Sequence, residues 1–140
     1  MMILNDIELV AYLRGLNLFK DREFFISHLF LADYYLNHTE KQIILELERE
    51  EKIELFEVNF EFLKIKDKYS LSIPEASNLY YAKQKGLPII TNQKGIILIC
   101  KEINVRVYEP CEALRLLNIG DEKVKFIQKI LNSENRIIDM

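Results

Sequence analysis

The sequence predicts an α/β fold, three layers deep, in which a mostly parallel central sheet is flanked by helices. Three observations predict it. Residues 71–108 read as helix, strand, helix and strand in succession. The run Leu87–Thr91 (LPIIT) is short and nearly continuously apolar, the pattern of a strand buried on both faces of a parallel sheet. Helical patterns separate nearly every pair of strand patterns, and parallel neighbours require such crossovers.

Met1–Leu4 is a short apolar strand. Asn5-Asp6 then reads as an N-cap before IELVAYLRG, where Ile7, Val10, Ala11 and Leu13 make a helical face that Gly15 stops. Phe24–Ser27 is the second strand, and HLFLADYYL after it reads as a helix with Leu29, Ala32 and Leu36 inward. Thr39–Glu51 is an amphipathic helix with Ile43, Ile44 and Leu47 inside and a solvated charged face. Ile53–Val58 alternates with period two, as a third strand does, and Asn59–Tyr69 reads as a short helix with its phenylalanines inward.

Ser72 stands three residues before Glu75 with Pro74 between them, a capping-box start with proline in the first turn, and Gly86 marks the helix end. After the strand Leu87–Thr91 comes a polar cluster, Thr91 to Lys94, placed where open α/β sheets bind ligands. NQKGIILICKEIN continues as an apolar helix and Val105–Tyr108 is the fifth strand. Pro110 opens a helix through Leu117, and a last helix over about 121–135 has Val124, Ile127 and Leu131 on one face, suited to covering the sheet or to a dimer contact.

With 140 residues, 49% of them hydrophobic, residues 1–140 form one domain with a core of its own. The net charge of −3 is spread along the chain and advertises no nucleic acid, although a local basic rim is compatible with it. Cys100 and Cys111 lack CxxC spacing and read as reduced structural thiols. His28 and His38 are ten residues apart and lack zinc-site spacing. No apolar run approaches the roughly 20 residues of a membrane span, so a cytoplasmic location and no membrane partner are expected. The absence of a glycine-rich phosphate loop disfavours a generic nucleotide binder.

The run LSIPEASNLYYAKQKGLPIITNQ resembles the distal half of a PIN domain, the nuclease fold of VapC-type toxins and related ribonucleases. In that family a leucine-serine turn leads to an acidic residue at a helix start, an alanine-rich helix ends in glycine, and a strand ends in a Thr-x-Asp-like motif. The resemblance implies a PIN-like three-layer fold, a site of three or four acids holding Mg²⁺ or Mn²⁺, and hydrolysis of RNA. Its first acid falls on Asn5, a departure, with Asp6 one residue late; that shift turns a side chain to the other face of an extended strand, a twist at the strand's end brings it back to the site, and the alternative for both residues is capping. Its second falls on Asp33, whose alternative is a solvated helix residue. Its third falls on Glu75, whose alternative is the capping box alone. Gln93 stands at the last acidic position, able to hold a metal-bound water through its carbonyl but adding no charge.

Phosphodiester hydrolysis of this kind needs a hard cation bound by several carboxylate oxygens. Here Asp33 and Glu75 would hold the ion with Asp6 or Asn5 beside them, and Gln93 would position the nucleophile or the phosphate. Two expectations follow. One is a metal-dependent endoribonuclease, toxin-antitoxin in kind, with a weakened site. The other is an inactive PIN-like module that binds RNA or a protein partner, such as an antitoxin-like chain, through the same cleft. A homodimer is compatible with either.

Overall fold

The computed structural model describes residues 1–15, 18–19, 24–32, 36–117 and 119–138, with side chains through Leu131. Among the described residues five strands, β1 (Met2–Leu4), β2 (Phe24–Ser27), β3 (Ile53–Phe56), β4 (Ile89–Ile90) and β5 (Val107–Tyr108), form one sheet in the order β3-β2-β1-β4-β5. Every pair is parallel, with Ile3 between Phe25 and Ile89 in register. The α-helices are α1 (Ile7–Gly15), α2 (His38–Arg49), α3 (Phe62–Tyr69), α4 (Ile73–Lys85), α5 (Lys94–Glu102), α6 (Pro110–Leu116) and α7 (Asp121–Ile138).

Alternation along the strands separates two cores. Met2, Leu4, Phe24, Ile26 and Ile90 face one side, where α1, α2, α6 and α7 cover them with Leu9, Leu13, Ile44, Leu114 and Ile127. Ile3, Phe25, Phe56 and Ile89 face the other, against Leu79 and Ala82 of α4 and Ile96 and Cys100 of α5. This is the three-layer α/β/α arrangement. Each fully buried Leu or Ile contributes about 1.5–3 kcal/mol, so both layers are held chiefly by apolar burial. Burial also pushes the Cys100 thiol up to about 11. Cys111 is half-buried, and both cysteines are free.

Helix α4 begins and ends where its sequence says. Ser72 Oγ accepts from the Glu75 amide at 3.3 Å, Glu75 Oε1 accepts from the Ser72 amide at 3.4 Å, and Gly86 takes the left-handed conformation at φ 67°. Elsewhere three expectations are corrected. The segment after β2 is a 3₁₀ helix, His28–Ala32, rather than the start of an α-helix. Its three-residue turn buries Phe30 and leaves Ala32 exposed. Helix α2 runs His38–Arg49 rather than from Thr39 to Glu51, because Asn37 caps it, accepting from the Glu40 amide at 2.8 Å. Helix α3 starts at Phe62, so Phe62 is buried while Phe60, in the preceding turn, is 83% exposed.

Candidate functional site at the switch point of the sheet

The connections from β1 to β2 and from β2 to β3 step outward in one direction, and the next returns across β1 to place β4 on its other side. The carboxyl ends of β1 and β4 are therefore the point where the chain leaves the sheet in opposite directions, and a crevice opens there. β1 delivers Asn5 and Asp6 to it, and β4 delivers Thr91, Asn92 and Gln93. The parallel ladder runs one step past the strands, with the Asn5 amide bonded to the Ile90 carbonyl at 3.1 Å.

Asp6 is the acceptor at the centre. Its Oδ1 receives the Thr91 hydroxyl at 2.8 Å, the Gln93 side-chain amide at 3.2 Å and, more weakly, the Asn5 amide at 3.4 Å; its Oδ2 receives the Asn92 backbone N–H at 2.6 Å. Thr91 is fully buried and also accepts from the Gln93 backbone N–H at 3.2 Å, so the turn after β4 is fastened to the end of β1. Asp6 thus spends its carboxylate on a tie across the sheet.

Asn5 is 2% exposed and engaged at both ends of its amide. Its Oδ1 accepts from Asn78 Nδ2 at 2.8 Å, and its Nδ2 lies 3.4 Å from Thr91 Oγ1. A carboxylate in its place could accept from Asn78 but could donate to neither Thr91 nor Asp6, and it would set a second negative charge beside Asp6. The amide at this position therefore has a physical reason.

Asn78 belongs to α4, and its neighbour Ser77 repeats the arrangement one strand away. Both are fully buried. Ser77 Oγ and Ser27 Oγ, at the end of β2, are 2.7 Å apart, and Ser77 donates to the Pro74 carbonyl at 2.7 Å. A buried polar seam thus stitches the first half of α4 to the ends of β1 and β2. It sets the position of Glu75, whose Oε1 also accepts the Ser72 hydroxyl at 2.8 Å.

Asn5, Asp6, Glu75 and Gln93 line one cleft of about 490 Å³, together with Ser72, Asn92 and two further carboxylates, Glu8 and Glu40. The structure brings those four sequence-derived candidates together; Asp33 lies outside the described residues. Reasoning from sequence missed Ser77 and Asn78, whose signal was two small polar residues among the apolar positions Ala76, Leu79 and Ala82. It also placed no site on the helix that Glu40 opens, although the Glu40 carboxylate both caps α2 and borders the cleft.

The side-chain atoms that the described residues of the cleft could offer to a metal are oxygens, the kind that Mg²⁺ and Mn²⁺ take. Asp6 keeps accepting capacity at Oδ2, which serves one described donor. No group of three His, Cys, Asp or Glu side chains close enough to enclose a metal ion occurs among the described residues. Comparison with family models, curated proteins and solved structures returns no match. Among the described residues no helix is long and apolar enough to cross a membrane.

Proposed function

We propose that the cleft is a weakened, divalent-cation-dependent phosphodiesterase site that acts on RNA, in the manner of a PIN-like endoribonuclease. The observation that carries this reading is the meeting of Asp6, Glu75 and Gln93 in one cleft at the switch point of a parallel sheet. Asp6 and Glu75 are the residues to hold Mg²⁺ or Mn²⁺, with Asp33 as the further acid that the resemblance implies. A cation held there would supply the activation of water and the offset of phosphoryl charge. Asn5 and Thr91 orient the Asp6 carboxylate. Gln93, on the exposed side of the same network, presents an amide to a phosphate or to the attacking water.

A second reading has its own observation. Four donors already serve Asp6, and the amide of Asn5 stands where a carboxylate would add charge, so the cleft suits a module that binds RNA or an antitoxin-like protein without cutting. Calorimetric titration with Mn²⁺, paired with cleavage of a labelled single-stranded RNA, separates the two. The nuclease reading expects weak Mn²⁺ heat and slow Mn²⁺-dependent cleavage, both lost in Asp6→Asn and in Glu75→Gln. RNA retention with neither heat nor cleavage favours the binding module.

A further inference from the structure

We propose that the groove between α3 and α4 is a second binding surface, for single-stranded RNA, engaging backbone phosphates through lysines and bases through tyrosines. It rests on the proposed RNA reading for the identity of the strand, but not on cleavage. The groove, about 460 Å³, shares no described lining residue with the acidic cleft and is lined by Lys64, Lys68, Lys83, Tyr69 and Tyr80, with Glu61 as the one acid among the described residues that line it. On a chain of net charge −3 this is a local reversal of sign.

The three lysines are exposed, and among the described residues none is paired with a carboxylate. Lys83 Nζ donates to the Ile103 carbonyl at 2.6 Å, which holds the ammonium at the mouth of the groove without neutralising it. Lys68 Nζ lies 5.3 Å from the centre of the Tyr69 ring. Glu61 is turned to other work: its Oε2 accepts the Tyr80 hydroxyl at 3.2 Å, and Gln84 donates to the same hydroxyl at 3.0 Å. Tyr80 is thus tethered through its hydroxyl, with its ring half-exposed on the groove wall. Ammonium groups interleaved with aromatic rings fit a ligand that alternates phosphates with flat bases, which a single strand does and an acidic peptide does not.

Placement supports the same strand. Lys83 follows Glu75 by eight positions in α4, about 12 Å along the helix axis. A strand leaving the cleft past the start of α4 therefore reaches the groove within a few nucleotides. The groove would add affinity and direction to a cleft whose own field is acidic.

The test is fluorescence anisotropy of the full chain with a labelled oligouridine 12-mer across a range of salt. Replacing Lys64, Lys68 and Lys83 together by Gln should weaken binding at least tenfold and lower the salt slope by about 2, at roughly 0.7 for each phosphate no longer neutralised. Lys64→Gln alone, at an exposed residue whose side chain has no described partner, should weaken binding about threefold without touching the fold. Tyr80→Leu should weaken binding about tenfold with the slope unchanged. Lys101→Gln, at a lysine exposed on α5 outside the groove, should leave binding within twofold. The inference is overturned if wild-type protein does not bind the oligomer, if the triple variant binds it with unchanged slope, or if a poly-glutamate peptide binds through these lysines in its place. Lysine-dependent binding in a protein that cuts nothing upholds the groove and removes only the nuclease reading.

Discussion

Asp6 and Glu75 are carboxylates on one cleft, yet the structure holds them in opposite ways. Asp6 follows a central strand and is fastened by donors from the turn beyond β4, more than eighty positions away in the chain. Glu75 begins a helix, and its described bonds reach back only to Ser72, three positions before it. The first is a product of the tertiary fold and is part of what keeps β1 and β4 aligned. The second is a product of local sequence and would orient its carboxylate in an isolated helix. A site assembled from both has one rigid wall and one rim that can be altered cheaply.

The largest expected effect lies on the rigid wall. Asn5→Asp should destabilise the protein by on the order of 3 kcal/mol in chelator, because it buries a second charge beside Asp6 and leaves Thr91 without its amide donor. Urea unfolding with and without Mn²⁺ measures it, and added Mn²⁺ should restore much of the loss. If Asn5→Asp is as stable as wild type in chelator, the wall is not closed to charge and the contrast with Glu75 collapses. Adding Gln93→Asp should strengthen Mn²⁺ affinity beyond Asn5→Asp alone, by about 1 kcal/mol or roughly fivefold for the added charge.

Next comes the tether behind that wall. Asn78→Ala should cost about 2 kcal/mol, since it opens a small void and leaves the buried Asn5 Oδ1 unserved. A loss below about 0.5 kcal/mol by chemical denaturation would mean that α4 is positioned by apolar packing and not by the polar seam. Asp6→Asn should cost about 1 kcal/mol, because an amide keeps one acceptor but cannot take both the Thr91 hydroxyl and the Asn92 N–H on separate oxygens without setting a donor against one of them.

The smallest effect belongs to the rim. Glu75→Gln should change stability by less than about 0.5 kcal/mol, because glutamine completes a capping box as well. The same substitution should abolish Mn²⁺ heat in calorimetry. A loss of stability above about 1 kcal/mol, with metal binding intact, would reverse the assignment and make Glu75 a purely structural residue.

The same contrast marks what could be read from the sequence. Helix α4 was legible to the residue because its start and stop are written locally in Ser72, Pro74, Glu75 and Gly86. The parallel sheet was legible because apolar strand runs alternate with helical periods, although β4 narrows to Ile89–Ile90. Pro88 has no N–H to give to a ladder, and at Thr91 the backbone N–H still reaches the Tyr108 carbonyl at 3.1 Å while the side-chain hydroxyl serves Asp6. The 3₁₀ turn after β2 was not legible, since its apolar residues satisfy an α-helical period equally well. Asn78 and Ser77 were hidden for a different reason. Their partners, Asn5 and Ser27, lie 73 and 50 positions away, and nothing in a helical pattern announces a bond across that distance.

That separation also has a consequence in time. The donors that organise Asp6 come from residues 91–93, so during synthesis at about 5–20 residues per second the first acid of the cleft waits on the order of ten seconds for its partners. Throughout that interval β1 can pair with β2, but its other edge and the Asp6 carboxylate are left to water. Because β4, made after β2 and β3, enters beside the strand made first, the central part of the sheet closes late, and the cleft exists only in chains that have closed it. Nascent protein therefore carries the lysines of α3 and the cap of α4 before it carries an ordered acidic wall. Hydrogen exchange of the Asn92 amide should follow global unfolding and not local fraying, because no smaller unit of the chain contains both ends of its bond.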